Sequence, residues 1–320
     1  MMNIIYNGEK DKAFKEVLGA TIPRLCEEDD KVIYLDADLM SCIGTAKWAA
    51  AHPDRAIDCG IAEANMIGIA AGLSSVGFKP VVHTFGPFAS RRVFDQVFLS
   101  GAYAKNSITI IGSDPGVCAA YNGGTHMPFE DMALYRAIPD AYVFDITDTA
   151  MLEDLLKQCV NIHGIKYIRV GRKNNARMYE PGSKFEIGKG ILTKDNGNDA
   201  TVIAAGIMVD KAMQAADILA KENIKIKVVD MFTVKPLDEA MVLKCAEETG
   251  AIVTAENHNK IGGLFSAVAD FLAVNRPTPV EYVAVEDVFG EVGAQPYLEK
   301  QFNLTTEHIV EKVKKVVGRK

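Results

Sequence analysis

Short apolar runs alternate with amphipathic segments along most of the chain. The apolar runs predict buried strands, at 32–36, 80–85, 107–112, 142–145 and 166–170. Segments with an apolar residue every three or four positions predict helices around Glu63 and at 11–26, 45–51, 91–104, 129–137 and 149–161. Strands that alternate with helices imply a mostly parallel sheet covered on both faces.

A polar segment at 173–184 interrupts this alternation. It carries Pro181 and Gly182 and lacks hydrophobic periodicity, so it predicts a linker. Beyond it, predicted strands at 200–205, 225–230, 251–255 and 280–285 alternate with predicted helices at 208–222, 238–248, 262–274 and 306–317. The pattern predicts an α/β protein with two doubly wound domains, a larger one over 1–175 and a smaller one over 187–320, joined by a linker over 176–186.

Composition narrows the class of protein. A length of 320 residues suits two domains, and a net charge of −7 argues against non-specific nucleic-acid binding. The six cysteines lie far apart, which is typical of free thiols in a reducing cytoplasm. The chain opens without a signal-peptide pattern and has no apolar run near the roughly 18 residues of a membrane helix. We therefore expect a cytoplasmic protein with neither nucleic acid nor membrane as partner.

One carboxylate lies in an apolar segment rich in small residues. Glu63 belongs to Gly60-Ile-Ala-Glu-Ala-Asn-Met66, and its simplest interpretation is an acid that interacts with the dipole of its helix. Desolvation, however, favours the protonated form of a buried carboxyl, and such a group can share a proton with a ring nitrogen. Phe85 and Phe88, in the strand-like run that follows, are either core residues or a stacking wall for a flat heterocycle.

The segment from Asp114 to His126 is rich in glycine and predicts a long loop. Loops of this length in compact domains are commonly functional, so His126 is either structural or a substrate contact. Arg169 and Arg172 end a predicted strand, where they are either solvated or recognise an anion such as phosphate. Arg136 is a further candidate of the same kind.

Other common chemistries find little support in the sequence. The six histidines are scattered without a metal-ligand spacing, so we predict no metal site on this chain. A GxSxG elbow is absent, which argues against a serine hydrolase. Gly262-Gly263 predicts a loop-to-helix turn and not a dinucleotide-binding GxGxxG.

Taken together, these segments resemble the carboxy-terminal half of transketolase, in the form in which the enzyme is split into two subunits. The resemblance covers essentially the whole chain, and the order and spacing of the motifs follow the family. The matching motifs are Leu35-Asp-Ala-Asp-Leu39, Gly60-Ile-Ala-Glu-Ala-Asn-Met66, Thr84-Phe-Gly-Pro-Phe-Ala89 with Asp95-Gln96, Gly124-Thr-His126, Arg136-Ala-Ile-Pro139, Tyr167-Ile-Arg-Val-Gly-Arg172, and Thr254-Ala-Glu-Asn-His-Asn259 with Ile261-Gly-Gly263.

The resemblance implies a pyrimidine-binding domain, a smaller transketolase C-terminal domain and a role for each motif. Glu63 falls on the family's catalytic glutamate, which contacts the pyrimidine nitrogen of thiamine diphosphate and so activates the cofactor. The other implied cofactor contacts are Phe85, Phe88 and Asp38. The implied substrate contacts are His126, which is also catalytic, Arg172 at the anionic end of a sugar, Arg136 and Asn122.

The resemblance also implies a second subunit. In the family, a Gly-Asp-Gly motif and a later Asn hold the divalent metal that bridges the cofactor's diphosphate, and this chain has no Gly-Asp-Gly. We expect an amino-terminal partner subunit of similar size to hold Mg²⁺ or Ca²⁺ and to share the cofactor, in a heterotetramer.

The sequence departs from the family at the loop. Ala120-Tyr-Asn-Gly123 stands where Gly-Glu-Asp-Gly is usual, so Asn122 replaces an aspartate that helps to read a donor hydroxyl. A family histidine at the start of the loop is absent, with Ser113 near its place. These changes disfavour the common xylulose or fructose phosphate donors and favour an unusual ketose, such as a branched sugar phosphate or a sulfonated sugar.

We therefore predict transfer of a two-carbon ketol unit from an anionic ketose to an aldose. One alternative is a subunit like deoxyxylulose-phosphate synthase or the 2-oxoacid dehydrogenase E1 beta chain, with the same glutamate and aromatic wall but a 2-oxoacid donor. Another is a regulatory or binding subunit that keeps the fold without catalysis. Gly124-Thr-His126 and Arg172 favour sugars, and Glu63 favours an enzyme.

Overall fold

A computed structural model describes residues 3–320 and contains two β-sheets with helices packed against them. The strands are β1 (Val32–Asp36), β2 (Ala56–Asp58), β3 (Lys79–Phe85), β4 (Ile108–Ser113), β5 (Tyr142–Asp145), β6 (Ile165–Val170), β7 (Ile191–Asp195), β8 (Ala200–Ala204), β9 (Ile226–Asp230), β10 (Thr233–Lys235), β11 (Ile252–Asn259) and β12 (Val280–Val285). The α-helices are α1 (Phe14–Glu28), α2 (Ala46–Ala51), α3 (Glu63–Ser75), α4 (Gly86–Ala89), α5 (Phe94–Gln96), α6 (Asp131–Arg136), α7 (Thr149–Cys159), α8 (Met208–Lys221), α9 (Glu239–Thr249), α10 (Leu264–Asn275), α11 (Gln295–Gln301) and α12 (Thr306–Val317).

The first sheet has seven strands in the order β10-β5-β6-β4-β3-β1-β2. All neighbours are parallel except β10, which pairs antiparallel with β5 at one edge. Every residue of β1, β4 and β6 is buried, as expected for parallel strands covered on both faces. The carboxyl ends of β1, β3 and β4 therefore meet at one edge of the sheet, where binding sites of open parallel sheets usually lie.

The second sheet has five strands in the order β12-β11-β8-β9-β7, and only β7 is antiparallel to its neighbour. Its helices α8 and α12 pack on each other and on the sheet, and their apolar faces belong to the main core. Two mostly parallel sheets with packed helices confirm the predicted fold class.

Several local predictions were wrong. The strands β2, β7 and β10 and the helix α11 were not predicted, because each is short or lies at a sheet edge. The helix expected over 91–104 is broken into a 3₁₀ turn at Arg91–Val93, the short α5 and a π-helix at Val97–Tyr103. The strand-like run ends at Phe85, so that Phe88 lies on the helical turn α4.

The two halves of the chain share more structure than a simple linker implies. Strand β10 comes from the second half but extends the first sheet. The segment expected to be linker contributes Tyr179, which is 1% exposed and donates a hydrogen bond to Asp230 on β9 over 2.7 Å. The domain boundaries at 175 and 187 remain a prediction, since the contacts between the halves are extensive.

A cluster of buried charged side chains joins the two halves of the chain. Arg169, fully buried on β6, donates to Asp131 over 2.8 Å, to Asp145 over 3.1 Å and to the backbone carbonyl of Asn257 over 2.5 Å. The expectation that Arg169 is solvated or free to bind an anion is therefore wrong, because its guanidinium is used within the protein.

The cysteines agree with the expectation of free thiols. All six cysteines are free thiols, at positions 26, 42, 59, 118, 159 and 245. Across residues 3–320, none of the helices combines the length and apolar character that a membrane crossing requires.

Candidate active site

Glu63 lies at the first position of α3 and is almost fully buried. Its side chain is 4% exposed, and Oε1 accepts a hydrogen bond from Arg92 over 2.7 Å. Within residues 3–320, the side chain of Arg92 is the only hydrogen-bonding partner of this carboxylate, and it reaches only Oε1. Oε2 is thus available to a donor from outside the chain, such as a ring nitrogen that carries a proton.

Two phenylalanines and a histidine form an aromatic cluster next to this carboxylate. Phe85 ends β3 and Phe88 lies on α4, with their ring centroids 6.4 Å apart. The ring of His126 meets both in edge-on geometry, at 5.9 Å from Phe85 and 5.1 Å from Phe88. Phe85 is 9% exposed, because neighbouring side chains, His126 and Arg172 among them, cover most of its ring.

Arg92 links the carboxylate to the aromatic cluster and was not predicted. Its guanidinium lies over the ring of Phe88, at 3.9 Å from the centroid, while it holds Glu63. The sequence held one signal for this contact. Phe88 and Arg92 are four residues apart at the start of a helical segment, a spacing at which side chains can meet.

The loop that carries His126 is held in place by the second half of the chain. The side chain of Asn257, on β11, accepts a hydrogen bond from Val117 N over 3.0 Å and donates to Pro115 O over 3.0 Å. Gly116 has φ +51°, and a Cβ there would collide with Asn257, so glycine is required at this contact. The loop contains two 3₁₀ segments, Gly116–Asn122 and Gly124–His126, where an irregular loop was expected.

The surroundings of His126 favour its neutral imidazole. Burial against the aromatic rings lowers its pKa below the ordinary value, and the nearby charge of Arg92 lowers it further. Its Nδ1 lies 2.9 Å from the hydroxyl of Thr125, so Nε2 is the nitrogen left for a substrate hydroxyl or carbonyl.

Arg172 contacts the aromatic cluster at Phe85. Its guanidinium carbon is 4.9 Å from the centroid of Phe85, and Nε donates to Asp114 over 2.6 Å. Although burial alone favours the neutral form, the hydrogen bond and charge of Asp114 raise the pKa of Arg172. A cavity of about 510 Å³ opens here, lined by Ala13, Lys15, Ser41, Cys42, Asp114, Arg172, Lys173 and Asn174. Three cationic side chains at one cavity suit an anionic group.

The remaining predicted site residues lie apart from this cluster. Asp38 is exposed, has φ +61° and donates its backbone N–H to Asp58, with which it lines a separate cavity. Asn122 is exposed at the end of the first 3₁₀ segment. Arg136 donates to the carbonyls of Gly262 and Gly263 over 2.5 and 2.9 Å, and so ties the two halves together. The predicted roles of these three residues remain predictions.

A fully buried polar chain lies at the carboxyl ends of β1, β3 and β4. Asp36 lies 2.7 Å from Nδ1 of His83, and Nε2 of His83 lies 3.0 Å from the hydroxyl of Ser113. Asp36 also accepts a hydrogen bond from Leu39 N and so fixes the turn after β1. All three side chains are closed to solvent, so this Ser-His-Asp array is not open to a substrate in the structure.

The donor set fits one half of the implied cofactor. A buried carboxylate oxygen beside an aromatic wall matches a planar aminopyrimidine, in both polarity and shape. Among residues 3–320, no group of three or more acidic, histidine or cysteine side chains is arranged to hold a metal ion.

Comparison with known proteins agrees with this geometry. Residues 10–177 match the family described as transketolase, pyrimidine binding domain, and residues 188–309 match transketolase, C-terminal domain. The chain belongs to the transketolase family. Membership implies the use of thiamine diphosphate, and it confirms the resemblance inferred from the motifs.

Two relatives of similar length carry names that refer to transketolase in separate chains, one as a subunit and one as a split gene product. The 6-deoxy-6-sulfo-D-fructose transketolase subunit SqwH of Clostridium sp. (strain MSTE9) is 46% identical over 294 residues, which cover 92% of this chain and 91% of the relative. A solved structure described as split gene transketolase, inactive beta4 tetramer, is 39% identical with a TM-score of 0.87, covering 96% of this chain and 98% of that one.

Full-length transketolases match this chain over about half of their own length. The transketolase of Rattus norvegicus is 34% identical over 310 residues, which cover 96% of this chain and 49% of the relative. This chain therefore corresponds to one half of the undivided enzyme, as predicted from the motifs.

Proposed function

We propose that this chain is one subunit of a thiamine-diphosphate-dependent transketolase that moves a two-carbon ketol unit from an anionic ketose to an aldose. The observation that carries the proposal is that Arg92 joins the buried carboxylate of Glu63 to the aromatic cluster of Phe85, Phe88 and His126. A catalytically silent partner would have no need to keep a carboxylate buried beside an aromatic wall, since burying a charge is costly.

Each residue of the site then has its own role in the reaction. Glu63 holds a proton at the pyrimidine nitrogen, and the rings of Phe85 and Phe88 orient the pyrimidine by stacking. The neutral imidazole of His126 hydrogen-bonds a substrate oxygen and moves a proton there. When bound, thiamine diphosphate supplies the nucleophilic carbon and the electron sink for carbon–carbon cleavage. Arg172 faces the cavity that would receive the far, anionic end of the sugar.

The proposal needs a second subunit. The sequence lacks Gly-Asp-Gly, so the divalent metal and the diphosphate are assigned to an amino-terminal partner subunit, Mg²⁺ or Ca²⁺ being the ions that suit oxygen ligands there. A heterotetramer with two of each chain is the assembly we propose. The tetramer named for the related split transketolase is described as inactive and formed of beta chains alone, which supports the need for a partner. Six free cysteines support a reducing, cytoplasmic setting.

The proposed class of ketose donor is supported by the cavity at Arg172 and by the name of the clostridial relative. The name of the clostridial relative assigns it a sulfonated ketose, and Arg172 with Lys15 and Lys173 provides positive charge for such a group in this chain. We therefore propose an anionic six-carbon ketose as donor.

Co-expression with a Gly-Asp-Gly-bearing chain encoded nearby tests this function. The purified complex is supplied with thiamine diphosphate and Mg²⁺, and donors are screened with an aldose acceptor. We expect turnover of an anionic ketose by the complex and none by either chain alone. Turnover of pyruvate with no turnover of any ketose would reject the proposal in favour of a 2-oxoacid enzyme.

A further inference from the structure

The ion pair between Arg172 and Asp114 places a negative charge inside the proposed anion cavity. We propose that Asp114 is a specificity-determining residue that favours a singly charged anionic group, such as a sulfonate, over a phosphate dianion. This inference rests on the proposed function, because it assumes that the sugar's anionic end enters this cavity.

The carboxylate is fixed by three contacts from Arg172. Oδ2 accepts from Nε over 2.6 Å and lies 2.5 Å from Nη2, and Oδ1 accepts from the backbone N–H of the same residue over 3.1 Å. One edge of the guanidinium is thereby taken up by the protein. An incoming anion can use only the edge formed by Nη1 and Nη2, at which it lies within a few ångströms of Asp114.

Backbone geometry also fixes Asp114 beside Arg172. Its φ is +55°, a conformation that aspartate tolerates better than most residues, and its backbone N–H bonds to Val170 O over 3.0 Å. The residue is 3% exposed and so cannot swing away into solvent when an anion arrives.

The other charges of the cavity oppose Asp114 but are more strongly screened. Lys15 and Lys173 are exposed, and water and salt weaken their attraction for an anion. Asp114 is buried, and repulsion between it and a neighbouring anion is screened much less. Its influence on the choice between anions therefore exceeds that of either lysine.

Sulfonate and phosphate differ in charge at neutral pH. A sulfonate carries one negative charge at all physiological pH values, whereas a phosphate monoester carries about −1.5 to −2 because its second pKa is about 6. Repulsion by Asp114 grows with the charge of the anion. It therefore weakens the binding of the phosphate about twice as strongly as that of the sulfonate.

The test compares two donors in the reconstituted two-subunit enzyme. Wild type and Asp114→Asn are assayed for kcat/KM with 6-deoxy-6-sulfofructose and with fructose 6-phosphate at pH 7.5. We expect Asp114→Asn to shift the ratio of the two values towards the phosphate by about tenfold. Asp114→Glu, which keeps the charge but moves the carboxylate, should retain the wild-type preference even where total activity falls.

The pH dependence separates charge from positioning. Besides Asp114, the charged or titratable groups that face the cavity are Arg172, Lys15, Lys173 and Cys42. As pH falls from 7.5 to 5.5 the phosphate becomes a monoanion, so wild-type KM for fructose 6-phosphate should fall relative to that for the sulfonate. In Asp114→Asn this relative change should be at least halved.

Two results would overturn the inference in different ways. An unchanged donor ratio in Asp114→Asn, with both donors still turned over, would reject the role of Asp114 alone. If the wild-type complex turned over pyruvate and no ketose, the proposed function would fail and this inference with it.

Discussion

Arg92 holds Glu63 through a hydrogen bond of 2.7 Å while its guanidinium lies 3.9 Å above the centre of the Phe88 ring. The planar guanidinium thus takes one oxygen of the carboxylate and covers the ring face, both of which a planar pyrimidine would use. The side chain of Arg92 is 44% exposed and has room to leave, whereas that of Glu63 is 4% exposed and does not. Arg92 is therefore a competitor for the pyrimidine position.

Replacing Arg92 by glutamine should strengthen cofactor binding. The variant loses one partly exposed ion pair and one cation–π contact, together about 1 kcal/mol, so the Kd for thiamine diphosphate should fall about fivefold. Isothermal titration of the two-subunit complex with thiamine diphosphate and Mg²⁺ measures this change.

The neighbouring Arg91 provides the matched control. It pairs with Glu130 over 2.8 Å and has no contact with Glu63, so Arg91→Gln should leave the Kd for the cofactor unchanged. Weaker binding in Arg92→Gln would show that Arg92 assists the cofactor and does not compete with it.

Replacing Glu63 by glutamine should lower kcat by about 100-fold or more, because the proton held at the pyrimidine nitrogen is lost. Glu16 is the control: it is also an acid in the first turn of a helix, but it is exposed, so Glu16→Gln should retain full activity. If Glu63 only stabilised the dipole of α3, the two variants would behave alike, with small losses of stability and normal turnover.

Much of the fold was predictable because hydrophobic periodicity reports burial directly. The runs that became β1, β4 and β6 are buried at every position, and that continuous burial is what the sequence pattern encodes. The edge strand β10 was not predictable, since three residues carry no period and their pairing with β5 depends on how the two halves meet.

The site was predictable where a residue type carries its own chemistry. Glu63, Phe85, Phe88 and His126 were chosen from motifs, and the structure brings them together. Arg92, in a predicted helix, and Asp114, in a predicted loop, were missed because charged side chains in such segments usually face solvent. Only the three-dimensional structure reveals that Arg92 covers a ring and that the carboxylate of Asp114 accepts a hydrogen bond from the guanidinium of Arg172.

The buried ion pair of Arg169 should be important for stability. Arg169→Met leaves Asp131 and Asp145 without their cation, so the free energy of unfolding should fall by about 3–5 kcal/mol. Urea denaturation of the purified chain, followed by circular dichroism, measures it. As a control, Arg24→Ala removes a surface pair with Glu153 and should cost at most about 1 kcal/mol. Similar losses in both variants would contradict this assignment.

Asp230 should make stability depend on pH. Burial raises its pKa from 3.8 to about 7, against the opposing hydrogen bond from Tyr179. The folded chain therefore binds more protons than the unfolded chain between pH 4 and 7, and the free energy of unfolding falls as pH rises through that window. Asp230→Asn removes this proton uptake, so the free energy of unfolding of the variant should rise relative to wild type by about 2 kcal/mol or more between pH 5 and pH 8. Urea denaturation at the two pH values measures the difference, with Asp217→Asn, at an exposed position, as a pH-independent control. If wild type and Asp230→Asn lost the same amount of stability between pH 5 and pH 8, Asp230 would be ionised in the folded protein throughout this range.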